Sequence, residues 1–430
     1  MFPLRFTLYV LAFTFYVLDF TESMTMSNKL PLSSIRVADF TWVWAGPFCT
    51  LQLAHLGAEV IRIETAARPC VTRLLPPWPD NKPGLNRSGY FNQYNQGKRS
   101  LTLDLKKPAA LEIAKQLVAK SDIVAENFAG GVMDRLGLGY ETLKQIKPDI
   151  IMISLSGYGA TGPEKDYISY GPAQVPMSGM SSLTGYKGWR PMHVGISYGD
   201  PNGGLHGAFA VLCALMYRAR TGKGQYIDLS QWETSTAMVA EGLLDYNMNG
   251  TQPERDGNRD PHMAPHGVFR CAGEDRWVSL AVRDDNEWQR LCAVMNRPEL
   301  VTDPRFTTLA SRKQNEDELE PLITAWTLTR SAEEATEQLQ AAGIPAAPSM
   351  SNKDLATDPH LNSRSIFVYL DHPEVGKKQH IGIPWQLSKT PLTVRRPAPT
   401  LGEDTEYVLR EILGYGTEEI AALRDRQVLT

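Results

Sequence analysis

Apolar runs alternate with helical patterns over the first half of the chain, and this alternation limits the possible folds more than any other feature. The run IRVADF at 35–40 is followed by a Gly46-Pro47 turn, a helical pattern that stops at Gly57, and a second apolar run at 58–64. Strand, helix and strand in this order form a parallel βαβ unit. Further strands are predicted at 100–105, 122–126, 150–155 and 224–230, with helices at 109–120, 141–147 and 203–220. The pattern predicts an α/β fold on a parallel sheet.

A composition change at about 249–259, where Gly, Pro and Asn accumulate, predicts a linker between two domains. Two domains are also the natural expectation for 430 residues. Beyond the linker, strands at 267–270 and 277–282 and helices at 286–295 and 316–327 indicate a smaller α+β domain. A polar, proline-rich passage at 373–400 precedes helical segments at 405–413 and 417–424. We predict an N-terminal extension (1–27), a large domain (28–248), a small domain (249–372) and a C-terminal segment (373–430).

Charge and cysteine content exclude several classes of protein. The net charge of −4 gives no basic surface for nucleic acid, so we expect no nucleic-acid partner. The five cysteines are scattered without CxxC spacing, which argues against a disulfide scaffold or a zinc site and favours the cytoplasm.

The N-terminal run 1–20 is apolar, but Asp19 interrupts it and no A-x-A-like cleavage site follows. Met24 and Met26 precede a second start-like segment. Residues 1–27 resemble a signal peptide or a short anchor, but we interpret them in preference as an over-extended start outside the fold, and we expect no membrane partner.

The segment 156–185 is the expected home of a catalytic group. It is rich in glycine and follows the apolar run 150–155, so it leaves the carboxyl end of a buried strand, where open α/β sheets bind ligands. A dinucleotide-dependent oxidoreductase is a weaker alternative, because the first strand is followed by WVWAGPFC and not by GxGxxG.

Ordered motifs from about residue 30 to the C-terminus carry a family resemblance. They include IRVADFTWVWAGPFCTLQLAHLGAEVIRIE, YFNQYNQGKRSLTLDLKKP, DIVAENFAGGVMDRLGLGYETL, SLSGYGATGP, RTGKGQYIDLSQWE and LGEDTEYVLREILG. The chain closely resembles family III CoA-transferases, the group of formyl-CoA transferase and carnitine CoA-transferase.

This resemblance implies a Rossmann-like large domain built from both ends of the chain, a smaller domain, and two subunits interlocked like linked rings. Family members move CoA from an acyl-CoA donor to a carboxylic acid through an aspartate that forms a mixed anhydride and then an aspartyl thioester. CoA thioesters are therefore the expected substrates, and no permanently bound cofactor is expected.

Several residues match positions at which the family binds CoA. The resemblance implies that Trp44 and Ala45 line the pantetheine and the thioester. It implies that Arg135 and Lys106 pair with phosphates and that Phe128 offers a face to adenine. The full set of expected CoA-binding residues is Trp44, Ala45, Leu103, Lys106, Asn127, Phe128 and Arg135.

Two departures from the family pattern matter. Trp44 replaces a residue that is often polar, and with Trp42 it adds bulk that favours a larger or aromatic acid over formate or oxalate. An ungapped match also places Gly171 at the position of the nucleophilic aspartate, and glycine cannot form an anhydride.

Three explanations for Gly171 stay open. Asp166 or Asp200 supplies the carboxylate, although Asp200 before Pro201 has the pattern of a helix N-cap. Alternatively, a related partner chain supplies the aspartate. The third explanation is proton transfer by an acyl-CoA racemase or isomerase, for which the histidines in suitable contexts are His193, His206, His262 and His266.

We therefore predict CoA transfer from a donor such as succinyl-CoA to an organic acid. The expected assembly is a homodimer or, more in keeping with Gly171, a heteromer whose other subunit supplies the aspartate. The alternatives are an acyl-CoA racemase or isomerase and a non-catalytic subunit that binds CoA thioesters.

Overall fold

A six-stranded parallel sheet forms the centre of the molecule. The computed structural model describes residues 29–430, so the predicted extension at 1–27 lies outside the described residues. The strands of the sheet are β1 (Arg36–Asp39), β2 (Glu59–Glu64), β3 (Arg99–Thr102), β4 (Ile123–Glu126), β5 (Ile151–Ser156) and β6 (Tyr226–Ser230). Their order is β3-β2-β1-β4-β5-β6, and all neighbours are parallel. The predicted α/β class is confirmed, and the order reverses between β1 and β4 as in doubly wound sheets.

Helices connect these strands. In the first 250 residues they are α1 (Ala45–His55), α2 (Gly89–Tyr94), α3 (Pro108–Ala119), α4 (Val132–Arg135), α5 (Tyr140–Ile146), α6 (Gly171–Met177), α7 (Met180–Leu183), α8 (Gly199–Thr221), α9 (Gln231–Thr236) and α10 (Ala240–Asn249). Further helices are α11 (Asp285–Val294), α12 (Leu309–Gln314), α13 (Glu316–Thr327), α14 (Ala332–Ala341), α15 (Asn352–Thr357), α16 (Pro359–Ser363), α17 (Thr405–Tyr407), which continues as a π turn (Val408–Ile412), and α18 (Thr417–Asp425).

The sheet is buried on both faces. Val37 and Val60 belong to a core cluster with α1 and α8, whereas their neighbours Ala38 and Ile61 belong to a cluster with α3. Successive strand residues point to opposite faces, so helices cover the two sides. Strands covered in this way become continuous apolar runs, which explains why the sequence pattern identified them.

The C-terminal segment packs on the first half of the chain. Asp404 accepts a hydrogen bond from Arg99 of β3 at 2.7 Å, and Thr405 accepts one from the backbone N–H of Thr102 at 3.0 Å. Val408 and Leu409 lie in the same core cluster as α3. These contacts support the predicted return of the C-terminal segment to the large domain, whose limits stay a prediction.

Two smaller sheets follow the parallel one. Strands β7 (His266–Arg270), β8 (Trp277–Ala281) and β9 (Ala346–Pro348) form an antiparallel sheet beside a core around Trp288. Strands β10 (Phe367–His372) and β11 (Gly376–Ile381) pair as a hairpin.

The polar, proline-rich passage at 373–400 thus contains a regular element, β11. Its sequence GKKQHI is mostly polar and is a strand because β10 pairs with it. No helix within 29–430 combines the length and apolarity that crossing a membrane requires.

Candidate active site

A cavity of about 260 Å³ opens at the carboxyl edge of the parallel sheet. Loops that follow β1, β2, β4 and β5 contribute to it, and α8 closes one side. The strand order reverses between β1 and β4, which is where sheets of this type bind ligands. The lining residues are Trp42, Val43, Arg68, Asn127, Phe128, Ala129, Ser156, Gly157, Tyr167, Ile168, Ser169, Tyr170, Gly171, Asp200 and Gln231.

Asp200 brings a carboxylate into this cavity. It lies in the first turn of α8, which begins at Gly199 with Tyr198 at the N-cap position, so Asp200 is inside the helix and is not its cap. The N-cap prediction for Asp200 was wrong because the helix begins earlier than its apolar pattern indicates. Pro201 is tolerated in the first turn, where a backbone N–H has no helical partner. The Asp200 carboxylate is thus available for chemistry.

Close packing between α8 and α1 fixes the position of Asp200. A Cβ atom at Gly204 would lie 2.8 Å from the carbonyl oxygen of Ala45, and one at Gly207 would lie 2.6 Å from Leu155. Glycine at 204 lets the backbones of α8 and α1 approach closely, and glycine at 207 lets α8 lie close to β5, which carries Leu155. As a result, the first turn of α8 meets the first turn of α1 at the mouth of the cavity.

Gly171 makes room for the Asp200 carboxylate. A Cβ atom at Gly171 would lie 1.8 Å from Oδ2 of Asp200, well inside van der Waals contact. The carboxylate therefore occupies the space that a side chain at residue 171 would fill. Gly171, which has no side chain, and Asp200 of α8 therefore belong to a single site.

Burial changes the acidity of this carboxylate. Loss of water raises the pKa of Asp200 to about 7, and the backbone amide of Ala45 offsets part of the increase. The same burial raises the pKa of Tyr90, and the nearby charge of Asp200 adds to that effect. A carboxyl group that ionises near neutral pH has the acidity expected of a reactive group.

The loop after β1 is held in a strained conformation beside the cavity. The side chain of Asn127 accepts a hydrogen bond from Trp42 N–H at 2.6 Å and donates one to the Trp42 carbonyl at 2.8 Å. Val43 has a φ of 63°, which is unfavourable for a β-branched residue. Its N–H donates to Sγ of Cys70 at 3.3 Å. Such strain persists only where the surroundings hold it, and it is common at functional sites.

We expect Asn127→Ala to lower kcat of CoA transfer by about tenfold, because the Trp42 backbone loses both of its side-chain hydrogen bonds. Steady-state kinetics would measure this effect, and Asn362→Ala, an exposed asparagine of α16, is the control. If Asn127→Ala raised the KM for CoA donors without changing kcat, the role of Asn127 in positioning the Trp42 loop would be contradicted.

Two buried polar side chains in the cavity wall have unused hydrogen-bonding atoms. Oγ of Ser156 and Oε1 of Gln231 have no partner among the described residues. Buried polar atoms are normally paired, so both are available to a ligand. The indole of Trp42, tilted against Phe128 at 6.5 Å, adds an apolar wall.

The expected CoA-binding residues are distributed unevenly around this site. Asn127 and Phe128 line the cavity, and Ala45 lies at its edge. Trp44 packs instead on Tyr90 and Tyr94, with ring centroids 5.7 and 5.1 Å away.

The side chain of Leu103 is buried in the core with α3, so its side chain does not reach the surface. Lys106 and Arg135 are exposed and form no ion pair within the described residues. Their roles in binding the CoA nucleotide stay predictions.

Other candidate groups lie away from the cavity. Asp166 is exposed in the loop between β5 and α6 and is not among the lining residues. None of the described histidines lines the cavity either. The sequence interpretation missed Arg68, Ser156 and Gln231, for which the only signal was their position just after predicted strands.

Comparison with known proteins decides the family. A sequence model described as CoA-transferase family III matches residues 32–405. The chain belongs to CoA-transferase family III. It is 33% identical over 399 residues to the succinyl-CoA–D-citramalate CoA-transferase of Chloroflexus aurantiacus, covering 93% of this chain and 98% of the relative.

Two further comparisons agree with this family. The chain is 33% identical to the succinate–glutarate CoA-transferase of Agrobacterium fabrum, covering 90% of this chain and 96% of the relative. A crystal structure of a CaiB/BaiF family protein from Brucella suis superposes with a TM-score of 0.82 at 30% identity, covering 89% of this chain and 99% of that one. The predicted family is confirmed, and its relatives support CoA transfer between an acyl-CoA and an acid.

Proposed function

We propose that this CoA-transferase family III chain transfers CoA from an acyl-CoA donor, such as succinyl-CoA, to an organic acid, with its own Asp200 as nucleophile. The observation that carries the proposal is the Asp200 carboxylate in the cavity, in the space left by Gly171. The named activities of the relatives supply the reaction class.

The chemistry needs one carboxylate and no redox partner. An oxygen of Asp200 attacks the carbonyl of the donor thioester, and CoA leaves as a thiolate to give a mixed anhydride. The thiolate then attacks the aspartyl carbonyl, which releases the donor acid and leaves Asp200 as a CoA thioester. The acceptor carboxylate attacks that thioester, and the returning thiolate takes the acceptor acyl group and frees Asp200. A pKa near 7 keeps a large fraction ionised at neutral pH.

Asp200 removes the reason for requiring an aspartate from a partner chain. The heteromer was predicted because no nucleophile was expected at Gly171. With a carboxylate of the same chain in that space, a self-sufficient subunit is the simpler assembly. The same observation argues against a non-catalytic subunit.

Proton-transfer chemistry is the second candidate, since a carboxyl group with a pKa near 7 is also a suitable base. Racemisation or isomerisation also needs a second acid–base group, placed across the substrate from the base. The described cavity lining contains no histidine and no second carboxylate. Transfer therefore fits the site better.

A second copy of this chain is the proposed partner. Large apolar side chains are exposed on α8 and α10, among them Phe209 (68% exposed) and Met248 (77% exposed). Exposed apolar surface of this extent is typical of an interface. An interlocked homodimer would cover it, in keeping with the family resemblance.

The test uses the purified full-length chain alone. We expect it to exchange CoA between succinyl-CoA and carboxylic acids and to form a homodimer by light scattering. Hydroxylamine added during turnover should convert the aspartyl thioester to a hydroxamate on Asp200, located by peptide mass spectrometry. Acid labelled with oxygen-18 should leave label in the same peptide.

A label on Asp166 or on no peptide would overturn Asp200 as nucleophile. Transfer that appears only after a related chain is added would restore the heteromer. Exchange of the α-proton of an acyl-CoA with deuterium, without CoA transfer, would favour a racemase or isomerase.

A further inference from the structure

An arginine without an anionic partner shares the cavity with Asp200. Arg68 follows β2, in the loop that runs from Glu64 to Arg73, and it lines the cavity. We propose that Arg68 binds the distal carboxylate of a dicarboxylic acid and so selects this class of acyl group. This inference rests on the proposed CoA transfer at Asp200.

The guanidinium of Arg68 contacts an aromatic ring, and its hydrogen-bond donors have no protein partner within 29–430. It lies over the indole ring of Trp42, 5.3 Å from the ring centroid. A cation–π contact of this kind attracts a guanidinium to the ring without using its N–H groups as hydrogen-bond donors. Arg68 makes no hydrogen bond or ion pair with any residue in 29–430, although most arginines around it do, including Arg62 and Arg73. An exposed arginine that lines the cavity and has no protein partner for its donors within 29–430 suits a carboxylate.

The charges of the cavity point to a substrate with two carboxylates. Among its described lining residues, Arg68 is the only cation and Asp200 is the only carboxylate. One end of a dicarboxylic acid must react at Asp200, where two negative groups approach each other. The other end remains charged throughout the reaction, and Arg68 is the group that can neutralise it. A monocarboxylic acid would leave the Arg68 donors unused.

The phosphates of CoA are the other anions that an arginine could bind. The pantetheine arm separates them from the thioester, so they lie far from the reacting carbonyl when that carbonyl is at Asp200. Arg68 lines the same small cavity as Asp200, about 260 Å³ in volume. The position therefore favours the carboxylate of the acyl group over the phosphates.

The experiment compares acceptors of equal length with one or two carboxylates. Glutarate and valerate would be assayed with the same donor, butyryl-CoA, for the unchanged chain, Arg68→Met and Arg68→Lys. We expect Arg68→Met to raise the KM for glutarate by about 30-fold, the loss typical of a bidentate ion pair, and to change that for valerate by less than about twofold. Arg68→Lys should recover part of the loss. Arg364→Met, at an exposed arginine outside the cavity, is the control.

Binding to a chemically blocked site separates this inference from the proposed function. Calorimetric titration of glutarate into the Asp200→Asn protein should show weaker binding when Arg68 is also replaced by Met. If Arg68→Met raised the KM for glutarate and the KM for valerate by the same factor, the inference about Arg68 would be overturned, and the proposed CoA transfer would be unaffected. A raised KM for butyryl-CoA with either acceptor, and stronger inhibition by salt, would assign Arg68 to the CoA phosphates instead.

Discussion

Asp200→Asn is expected to lower CoA transfer by on the order of 10³-fold or more, because asparagine keeps the shape of the side chain and cannot form an anhydride. The unchanged protein should gain activity as pH rises through about 7, where the Asp200 carboxyl loses its proton. The variant should show neither the activity nor this pH dependence. Initial rates with succinyl-CoA would measure the activity and its pH dependence. The assays would span about pH 5–9, a range that includes the raised pKa of Asp200.

Stability provides an independent readout for the same variant. The folded-state pKa of Asp200 is raised from its ordinary value of 3.8 to about 7, so the folded protein holds the proton more tightly than the unfolded chain. This contribution to stability is fully present below pH 3.8 and is lost as pH rises through 7. Above that pH, Asp200→Asn should be at least as stable as the unchanged protein. A large loss of stability would attribute any inactivity to misfolding.

Two further variants separate Asp200 from the competing explanations. Asp166→Asn should leave the rate unchanged, since Asp166 is exposed outside the cavity. Gly171→Asp should lower activity, because its Cβ would overlap the Asp200 carboxylate and its charge would repel it. If the site simply lacked a nucleophile, the same substitution would raise activity. A faster Gly171→Asp protein would therefore contradict the role proposed for Asp200.

Glu64→Ala is expected to destabilise the fold by about 3–5 kcal/mol, since it leaves two arginines buried without their counter-ion. Both carboxylate oxygens of Glu64 accept hydrogen bonds from Arg73 at 2.8 Å, and Arg62 lies 3.4 Å away. These side chains are at most 2% exposed. Burial alone would raise the pKa of Glu64, but the charge of Arg73 outweighs it and lowers the pKa to about 2. Urea unfolding would measure the loss.

A surface ion pair provides the matched control. Glu112 pairs with Lys115 at 2.9 Å on exposed positions of α3, and Glu112→Ala should cost less than about 0.5 kcal/mol. The contribution of Glu64 requires its charge, so it should disappear as pH falls from 4.5 to about 2. Similar losses of unfolding free energy for Glu64→Ala and Glu112→Ala would contradict the role assigned to burial.

Because the Glu64–Arg73 pair closes the loop that carries Arg68, Glu64→Ala should also weaken glutarate binding.

Much of the parallel sheet could be predicted from the sequence. Strands such as β2 and β5 are buried on both faces, so each is a continuous apolar run that a local pattern detects. The predicted helix at 316–327 coincides with α13 for the same kind of reason, because its apolar face has helical spacing. Short elements were less visible: α6 contains an internal proline, and β11 exists because β10 pairs with it.

The site was predicted only in part. The position of the cavity followed from the carboxyl ends of the strands, and Asn127 and Phe128 were among the expected residues. The helix start at Gly199 was not visible, because its first residues lack the apolar pattern of the rest of α8. Local sequence consequently made Asp200 resemble a helix cap, so Asp200 stayed one of several candidates for the missing carboxylate.

The amino-acid sequence by itself determined the family and the α/β class, because motifs and apolar runs are properties of neighbouring residues. Only the tertiary structure placed the Asp200 carboxylate in the cavity, beside the loop at 156–185. Asp200 lies far along the chain from the Trp42 loop and is absent from that segment, and it reaches the cavity because α8 packs closely on α1. Contacts between distant segments depend on shape and close packing, which a local pattern does not contain.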